Sequence, residues 1–219
     1  RNSAKSSSLP DLRKYPSGTP RKKAFLRTVM PYITSQNAAI TAERNWLISK
    51  QYQGQWSPAE RARLKDIAKR YKVKWSGNTR KIPWNTLLER VDIIPTSMVA
   101  TMAAAESGWG TSKLARNNNN LFGMKCMKGR CTNAPGKVKG YSQFSSVKES
   151  VSAYVTNLNT HPAYSSFRKS RAQLRKADQE VTATAMIHKL KGYSTKGKSY
   201  NNYLFAMYQD NQRLIAAHM

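Results

Sequence analysis

Nearly every periodic segment of this chain repeats its apolar residues at three- and four-residue spacing, the pattern of short helices packed on one another. Phe25, Val29 and Ile33 recur every fourth residue. Pro31 falls inside that run and predicts a kink or an end there. A second helical stretch, 37–51, carries Ile40, Leu47 and Ile48. Ser57-Pro58-Ala59-Glu60 is a helix start: Ser57 caps, Pro58 suits the first helical position, and Glu60 completes a capping box. Leu64, Ile67, Ala68 and Tyr71 follow at helical spacing. Trp75-Ser-Gly-Asn-Thr reads as a loop, and Pro83 as the start of a short helix through Leu88. Thr96 or Ser97 is expected to cap a helix carrying Met98, Val99, Met102 and Ala103. Further helices are expected over 147–158, over 178–190 with Asp178 as a cap, and along the stripe Leu204, Met207, Tyr208, Asn211 and Ile215.

One region breaks the pattern. Four consecutive Asn residues, 117–120, end a helix and build a turn. The stretch 121–138 that follows is rich in Gly, Asn and Pro and reads as a β-hairpin. Cys126 and Cys131 sit within it, either as a disulfide closing the hairpin or as two free thiols. The bridge would imply an oxidising compartment. The expected class is therefore mainly α (α+β), with a small β-lobe and no internal repeat. Residues 1–20, rich in Ser, Pro and basic side chains, read as a flexible leader, 21–93 as a helical extension, and 94–219 as the main domain. No apolar run approaches the roughly 18 residues that span a bilayer. The chain opens at Arg1 with no signal-like stretch, as expected of a processed or trimmed chain, and a monomer is expected.

The 38 Lys and Arg residues outnumber the 11 Asp and Glu, a net charge of +27. Such a field draws polyanions: nucleic acid, anionic lipid surfaces or acidic cell-wall polymers. G-Y-S-T-K-G-K-S, residues 192–199, matches the P-loop pattern letter for letter. A P-loop needs a buried strand before it and a parallel sheet around it. The surrounding pattern is helical and only twenty residues follow Ser199, so no nucleotide is expected. The three His residues do not combine with the cysteines into a zinc ligand set, so neither metal nor cofactor is expected.

With acids this scarce, Glu106 stands apart. Val99, Met102, Ala103 and Glu106 share one face of a helix, which places a carboxylate on an apolar stripe at the helix C-terminus. Desolvation and the negative helix end both favour the protonated form, and a carboxylic acid so held can serve as a general acid. Gly108 and Gly110 would open the backbone into a cleft, with Trp109 either as a wall or as a packing residue. The alternative is an exposed helix-end Glu paired with one of the many Lys or Arg residues.

Four stretches together resemble the glucosaminidase family of bacterial peptidoglycan hydrolases. They are A-A-A-E-S-G-W-G-T-S (103–112), N-L-F-G-M-K (120–125), Y-S-Q-F-S-S-V-K-E-S (141–150) and G-Y-S-T-K-G-K-S-Y (192–200). That family includes the C-terminal domain of the flagellar rod hydrolase, and the nearest likeness is to the Bax-type proteins of Gram-negative bacteria. The resemblance covers residues 94–219. It implies a lysozyme-like fold with a small β-lobe, a peptidoglycan substrate and a periplasmic or cell-envelope location. The implied reaction is hydrolysis of the β-1,4 bond after N-acetylglucosamine, an endo-β-N-acetylglucosaminidase activity. It implies Glu106 as the general acid, with Tyr193 and Tyr200 near the catalytic centre. Trp109, Phe122 and Asn120 are expected along the substrate path, with Lys198 on a basic rim.

Several family members are thought to use a second carboxylate from the β-lobe, yet this chain has no Asp or Glu between Leu121 and Tyr141. The next acid, Glu149, matches a helix-start position. Either the substrate's own N-acetyl group is the nucleophile, with Tyr200 assisting, or a residue distant in sequence folds into the site; the short supply of acids favours the first. Two other readings stand beside it. One is a lytic transglycosylase, which also works with one glutamate. The other is a non-catalytic binder of polyanions or cell wall, although no nucleic-acid motif is present.

Overall fold

The computed structural model describes residues 9–126, 131, 134–190 and 197–219. Its longest element is α1 (Thr19–Lys50), one continuous helix of 32 residues. The two helical stretches expected on either side of Pro31 are thus one. Pro31 removes a ladder hydrogen bond from an exposed position. The buried face around it, Phe25, Leu26, Val29, Met30, Ile33 and Ile40, offsets that loss by packing. Each such side chain withdrawn from water contributes about 1.5–3 kcal/mol. Ahead of α1, in the stretch expected to be a leader, Leu12 is fully buried in a 3-10 turn, Leu12–Lys14, that Asp11 caps.

The far end of α1 meets α2 (Pro58–Arg70) and α3 (Trp84–Arg90). The expected capping box forms: the Glu60 amide donates to Ser57 Oγ at 3.1 Å and the Ser57 amide donates to Glu60 Oε1 at 2.9 Å. Leu47, Leu64, Ile67, Leu87 and Val91 make a small hydrophobic cluster here, edged by the half-buried Trp46, Trp56, Trp75 and Trp84.

The larger cluster surrounds α4 (Thr96–Ser107), in which every residue from Met98 to Ala104 is buried. The sequence pattern predicts one apolar stripe; instead the helix is enclosed on all sides, as a helix apolar all round must be. Neither Thr96 nor Ser97 caps it. Pro95 holds the N-cap position without a side-chain bond. Asn37 of α1 reaches across instead, donating to Ile94 O at 2.7 Å and Thr96 Oγ1 at 3.0 Å.

The chain continues through α5 (Lys113–Asn118), α6 (Val147–Thr160), α7 (Ser165–Lys176), α8 (Ala183–Met186) and α9 (Gly197–Ala216). Between α5 and α6, in place of the expected hairpin, the β pairing among the described residues is one antiparallel bridge, Lys125 with Tyr141. Asp178 does not cap a helix; it follows α7 in a left-handed conformation, and Thr182 caps α8 instead, accepting from the Ala185 amide at 3.1 Å. The stretch before 191 that partly alternates is helical, α8 followed by a 3-10 turn, Ile187–Lys189. Of the P-loop-like stretch, Gly197 to Ser199 open α9, and the rest lies outside the described residues. Among the described residues no helix is long and apolar enough to cross a membrane.

Helix α7 escapes the apolar-period reading altogether because its buried face is Phe167, Arg168 and Arg171. Two of those three are arginines, which a hydrophobicity pattern scores as solvent-facing. Arg171 is fully buried. It donates to Asp92 O at 3.2 Å, Ile93 O at 3.0 Å, Asn159 Oδ1 at 2.8 Å and Glu89 O at 2.8 Å. Asp92, 1% exposed, takes a two-pronged pair from Arg175 at 2.9 and 2.8 Å. Arg44 lies 3.5 Å away and Arg171 3.9 Å away. Burial raises the Asp92 carboxyl; the bond to Arg175 and the charges of Arg171 and Arg44 outweigh it, leaving the group below the usual carboxylate range. Burial lowers Arg171 to about 10, so it stays charged at neutral pH.

Because the folded-state pKa of Asp92 is depressed, its contribution is full above about pH 4 and lost as pH falls through the lowered value. Asp92→Asn leaves a buried guanidinium uncompensated and should cost about 3–5 kcal/mol. Denaturant unfolding at neutral pH checks the magnitude. Melts below pH 4 should fall less steeply in the variant than in the wild type.

Candidate active site

E-S-G-W-G-T-S first stops a helix and then starts the next. Gly108 takes the left-handed C-cap of α4, and Trp109 and Gly110 continue at φ of 56° and 80°. The Trp109 amide closes onto Ala104 O at 3.0 Å. Ser107, fully buried, accepts from the Gly110 amide at 2.9 Å and donates to Ala103 O at 2.6 Å. Ser112 then caps α5 through the Ala115 amide at 3.0 Å. Gly110 is required sterically as well: a Cβ there would lie 2.4 Å from Leu12 Cδ1 and 3.1 Å from Phe25. Trp109 packs edge-on against Phe25 at 5.6 Å, with Lys22 Nζ 5.1 Å from its ring centre. It is anchored to the N-terminal helix through these contacts and is half-buried.

Glu106 emerges two residues before the Gly108 cap. It is exposed, not desolvated on an apolar stripe. The continuously buried run of α4 ends at Ala104; Ala105 is half-buried and Glu106 exposed, before Ser107 turns back into the interior. Its carboxylate nevertheless has defined partners. Tyr200, in the first turn of α9, donates its hydroxyl to Oε1 at 2.6 Å. On the other oxygen, a Cβ added to Gly123 would lie 3.2 Å from Oε2. Gly123 has φ of 65°, so both its backbone conformation and this approach favour glycine.

The asparagine run builds the loop that carries Gly123. Asn118 donates to Val138 O at 3.1 Å and Ser142 O at 3.3 Å, and accepts from the Val138 amide at 2.8 Å. Asn119 is left-handed and donates to Phe144 O at 3.1 Å. Asn120, 1% exposed, donates to Met124 O at 2.8 Å and Ser142 O at 3.0 Å and accepts from the Phe122 and Met124 amides. Its amide is spent inside the protein, so it shapes the loop and does not face substrate. Phe122, 5% exposed, stacks on Tyr154 at 4.2 Å and 7°, beneath the site and not in it.

Two tyrosines feel the Glu106 charge, Tyr200 and Tyr154. Burial raises Tyr200 well above the usual phenol range, and the bond to Glu106 and its charge push the same way. Burial likewise raises Tyr154 far up, with smaller contributions from Tyr164, Tyr200 and Glu106. Both therefore stay protonated, and Tyr200 stays a donor. Neither Tyr154 nor Tyr164 nor Gly123 stands out in the sequence as a site residue. Tyr154 reads only as one more residue on the stripe of α6, and Gly123 had a signal in its place within N-L-F-G. Tyr193 lies outside the described residues.

All eleven carboxylates lie within the described residues. Glu106 is the one whose charge acts on Tyr154 and Tyr200. Ser146 caps α6, accepting from the Glu149 amide at 3.1 Å, and the Glu149 carboxylate in that first turn accepts from the Ser145 amide at 2.8 Å. Cys126 and Cys131 are joined as a disulfide, with Cα atoms 5.2 Å apart. Lys198 is exposed on the first turn of α9. Among the described residues no group of three or more His, Cys, Asp or Glu is placed to hold a metal.

The model of the Glucosaminidase family, described as mannosyl-glycoprotein endo-β-N-acetylglucosaminidase, matches residues 83–213. That span runs from α3 to near the end of α9 and contains Glu106, Gly123 and Tyr200. No solved structure matches the chain.

The Glu106–Tyr200 contact has a direct spectroscopic consequence. In Glu106→Gln the negative charge disappears while the burial of Tyr200 remains. The Tyr200 phenol should then ionise at lower pH than in the wild type, though still above an exposed tyrosine. An alkaline titration of isotope-labelled tyrosine by NMR reads this shift.

Proposed function

Since the chain belongs to the glucosaminidase family and is a glycoside hydrolase of N-acetylglucosaminidase type, we propose that its substrate is peptidoglycan and that Glu106 is the general acid. The observation that carries this reading is the meeting at Glu106 of three segments far apart in sequence. The end of α4 supplies the carboxylate, the N-L-F-G loop supplies Gly123 against one oxygen, and α9 supplies the Tyr200 hydroxyl at 2.6 Å from the other. The likeness to Bax-type proteins, the counterpart of a β-lobe in 120–144, and action in the periplasm or cell envelope belong to the same proposal. So does the division into a catalytic unit at 94–219 preceded by a helical extension.

The chemistry follows from the short supply of acids. Glu106 gives its proton to the leaving glycosidic oxygen as the bond to C1 breaks. Glu106 is the carboxylate named among the charges on Tyr154 and Tyr200, and in this reading the N-acetyl carbonyl oxygen of the same sugar attacks C1 and forms a cyclic oxazolinium. Tyr200, already aimed at this point, hydrogen-bonds the acetamide and orients it. Glu106, now ionised, takes a proton from water as the water opens the ring. Tyr193 and the open edge of Trp109 contact the sugar chain. Phe122 and Asn120 support the floor beneath it. The net charge of +27 draws the carboxylates of the peptide stems.

Glu106→Gln should lower turnover on purified sacculi by about 10²–10⁴-fold while sacculus binding persists. Lysis retained in that variant would overturn the assignment. Product analysis by mass spectrometry should give reducing N-acetylglucosamine ends; anhydro-muramyl ends would make it a lytic transglycosylase. Glu149→Gln should leave turnover intact, and its abolition with the fold preserved would argue against the acetamide as nucleophile.

A further inference from the structure

The family match begins at residue 83, yet the core around Glu106 begins at residue 12. Helix α1 grips both ends of α4. At the start of α4, Asn37 binds Ile94 O and Thr96 Oγ1. At its end, Phe25 packs on Trp109, and Leu12 and Phe25 close over Gly110. Phe25 and Asn37 are separated by about 18 Å of helix, which is also the length of α4. The two helices therefore run antiparallel, one braced along the whole of the other. This brace lies outside the matched span and none of its residues touches Glu106.

Lys22 extends the brace to a third element. Its Nζ sits over the Trp109 ring and donates to Asn211 Oδ1 at 2.8 Å. Asn211 is itself held on α9 by its bond to Met207 O at 2.9 Å. Tyr200 and Asn211 are eleven residues apart, close to three full turns, so they lie on one face of α9. One ammonium thus touches the turn that ends the Glu106 helix and the helix that carries Tyr200. We propose that residues 11–40 are part of the framework of the active centre, and that Lys22 is a positioning residue which sets Glu106 against Tyr200. As far as catalysis is concerned, this rests on the function proposed above. A displacement near 1 Å between such groups costs on the order of 10²-fold in rate, so a remote tie of this kind acts on turnover more than on substrate affinity.

The test uses the full chain with Lys22→Met, which keeps the aliphatic stem, and Lys22→Arg, which keeps the charge and a donor. In Lys22→Met, kcat on solubilised glycan strands should fall about tenfold with KM within about twofold. Amide exchange at Trp109 and Gly110 should accelerate, with the melting temperature little changed. Lys22→Arg should restore most of both. The proposal is overturned if kcat and exchange at 107–111 stay within about twofold of wild type in Lys22→Met. It is equally overturned if kcat falls only in step with a collapse of the melting temperature. Should the wild type cut no peptidoglycan at all, the functional reading fails, and amide exchange alone decides this proposal.

Discussion

Asp92 receives three guanidinium groups in the interior, and the architecture hangs on that meeting. Arg44 comes from α1, and Arg171 and Arg175 from α7, while Asp92 itself lies on the link between α3 and α4. Arg171 also takes up carbonyls at the end of α3 and in the link, and Asn159 of α6. Backbone groups that would otherwise be buried without partners are thereby satisfied. A buried ion pair adds little net stability in general, since desolvation cancels much of the attraction. Its effect here is to specify: one arrangement of α1, α3, α6 and α7 pairs Asp92 with its three guanidinium groups, and a slipped arrangement leaves a charge stranded.

That fixed arrangement sets where α4 starts, and the glycines after it set where it stops. Between the two, an enclosed helix of small and apolar residues delivers Glu106 to the surface at a defined point. The site is thus made by a hard stop rather than by a hydrophobic pocket. The carboxylate stays open to solvent on one side and is held by a phenol on the other. The asparagine run contributes in the same manner, converting side-chain amides into a rigid loop that brings Gly123 to the second oxygen.

Much of this was legible in advance. The capping box at Ser57 formed as read, because its partners are three residues apart and need nothing else. The family was identifiable from E-S-G-W-G-T-S and N-L-F-G-M-K, and residues 83–213 match it. The readings that failed did so for a common reason. Pro31 did not end a helix, since packing on both sides outweighed one lost bond. Helix α7 was invisible because arginine is buried there. Of the two readings of Glu106, desolvated on a stripe or exposed at a helix end, the exposed one holds, because the enclosed run of α4 stops at Ala104, two residues before it. Asn120 and Phe122, which carried a motif signal, are both buried, Asn120 bonded within the loop and Phe122 stacked on Tyr154.

The sequence by itself determined part of the local punctuation, such as the capped start of α2 at Ser57, together with which residues share a face and which acids exist to be used. These depend on backbone geometry within a few residues of the chain. The tertiary structure alone decided what stands opposite each face. It placed Tyr200 94 positions after Glu106 yet within 2.6 Å of it, matched one buried aspartate to three arginines, and set Lys22 between Trp109 and Asn211. Spacing along a chain specifies direction around a helix axis. It carries no information on which distant segment fills that direction, because that is settled only when all the faces are buried together.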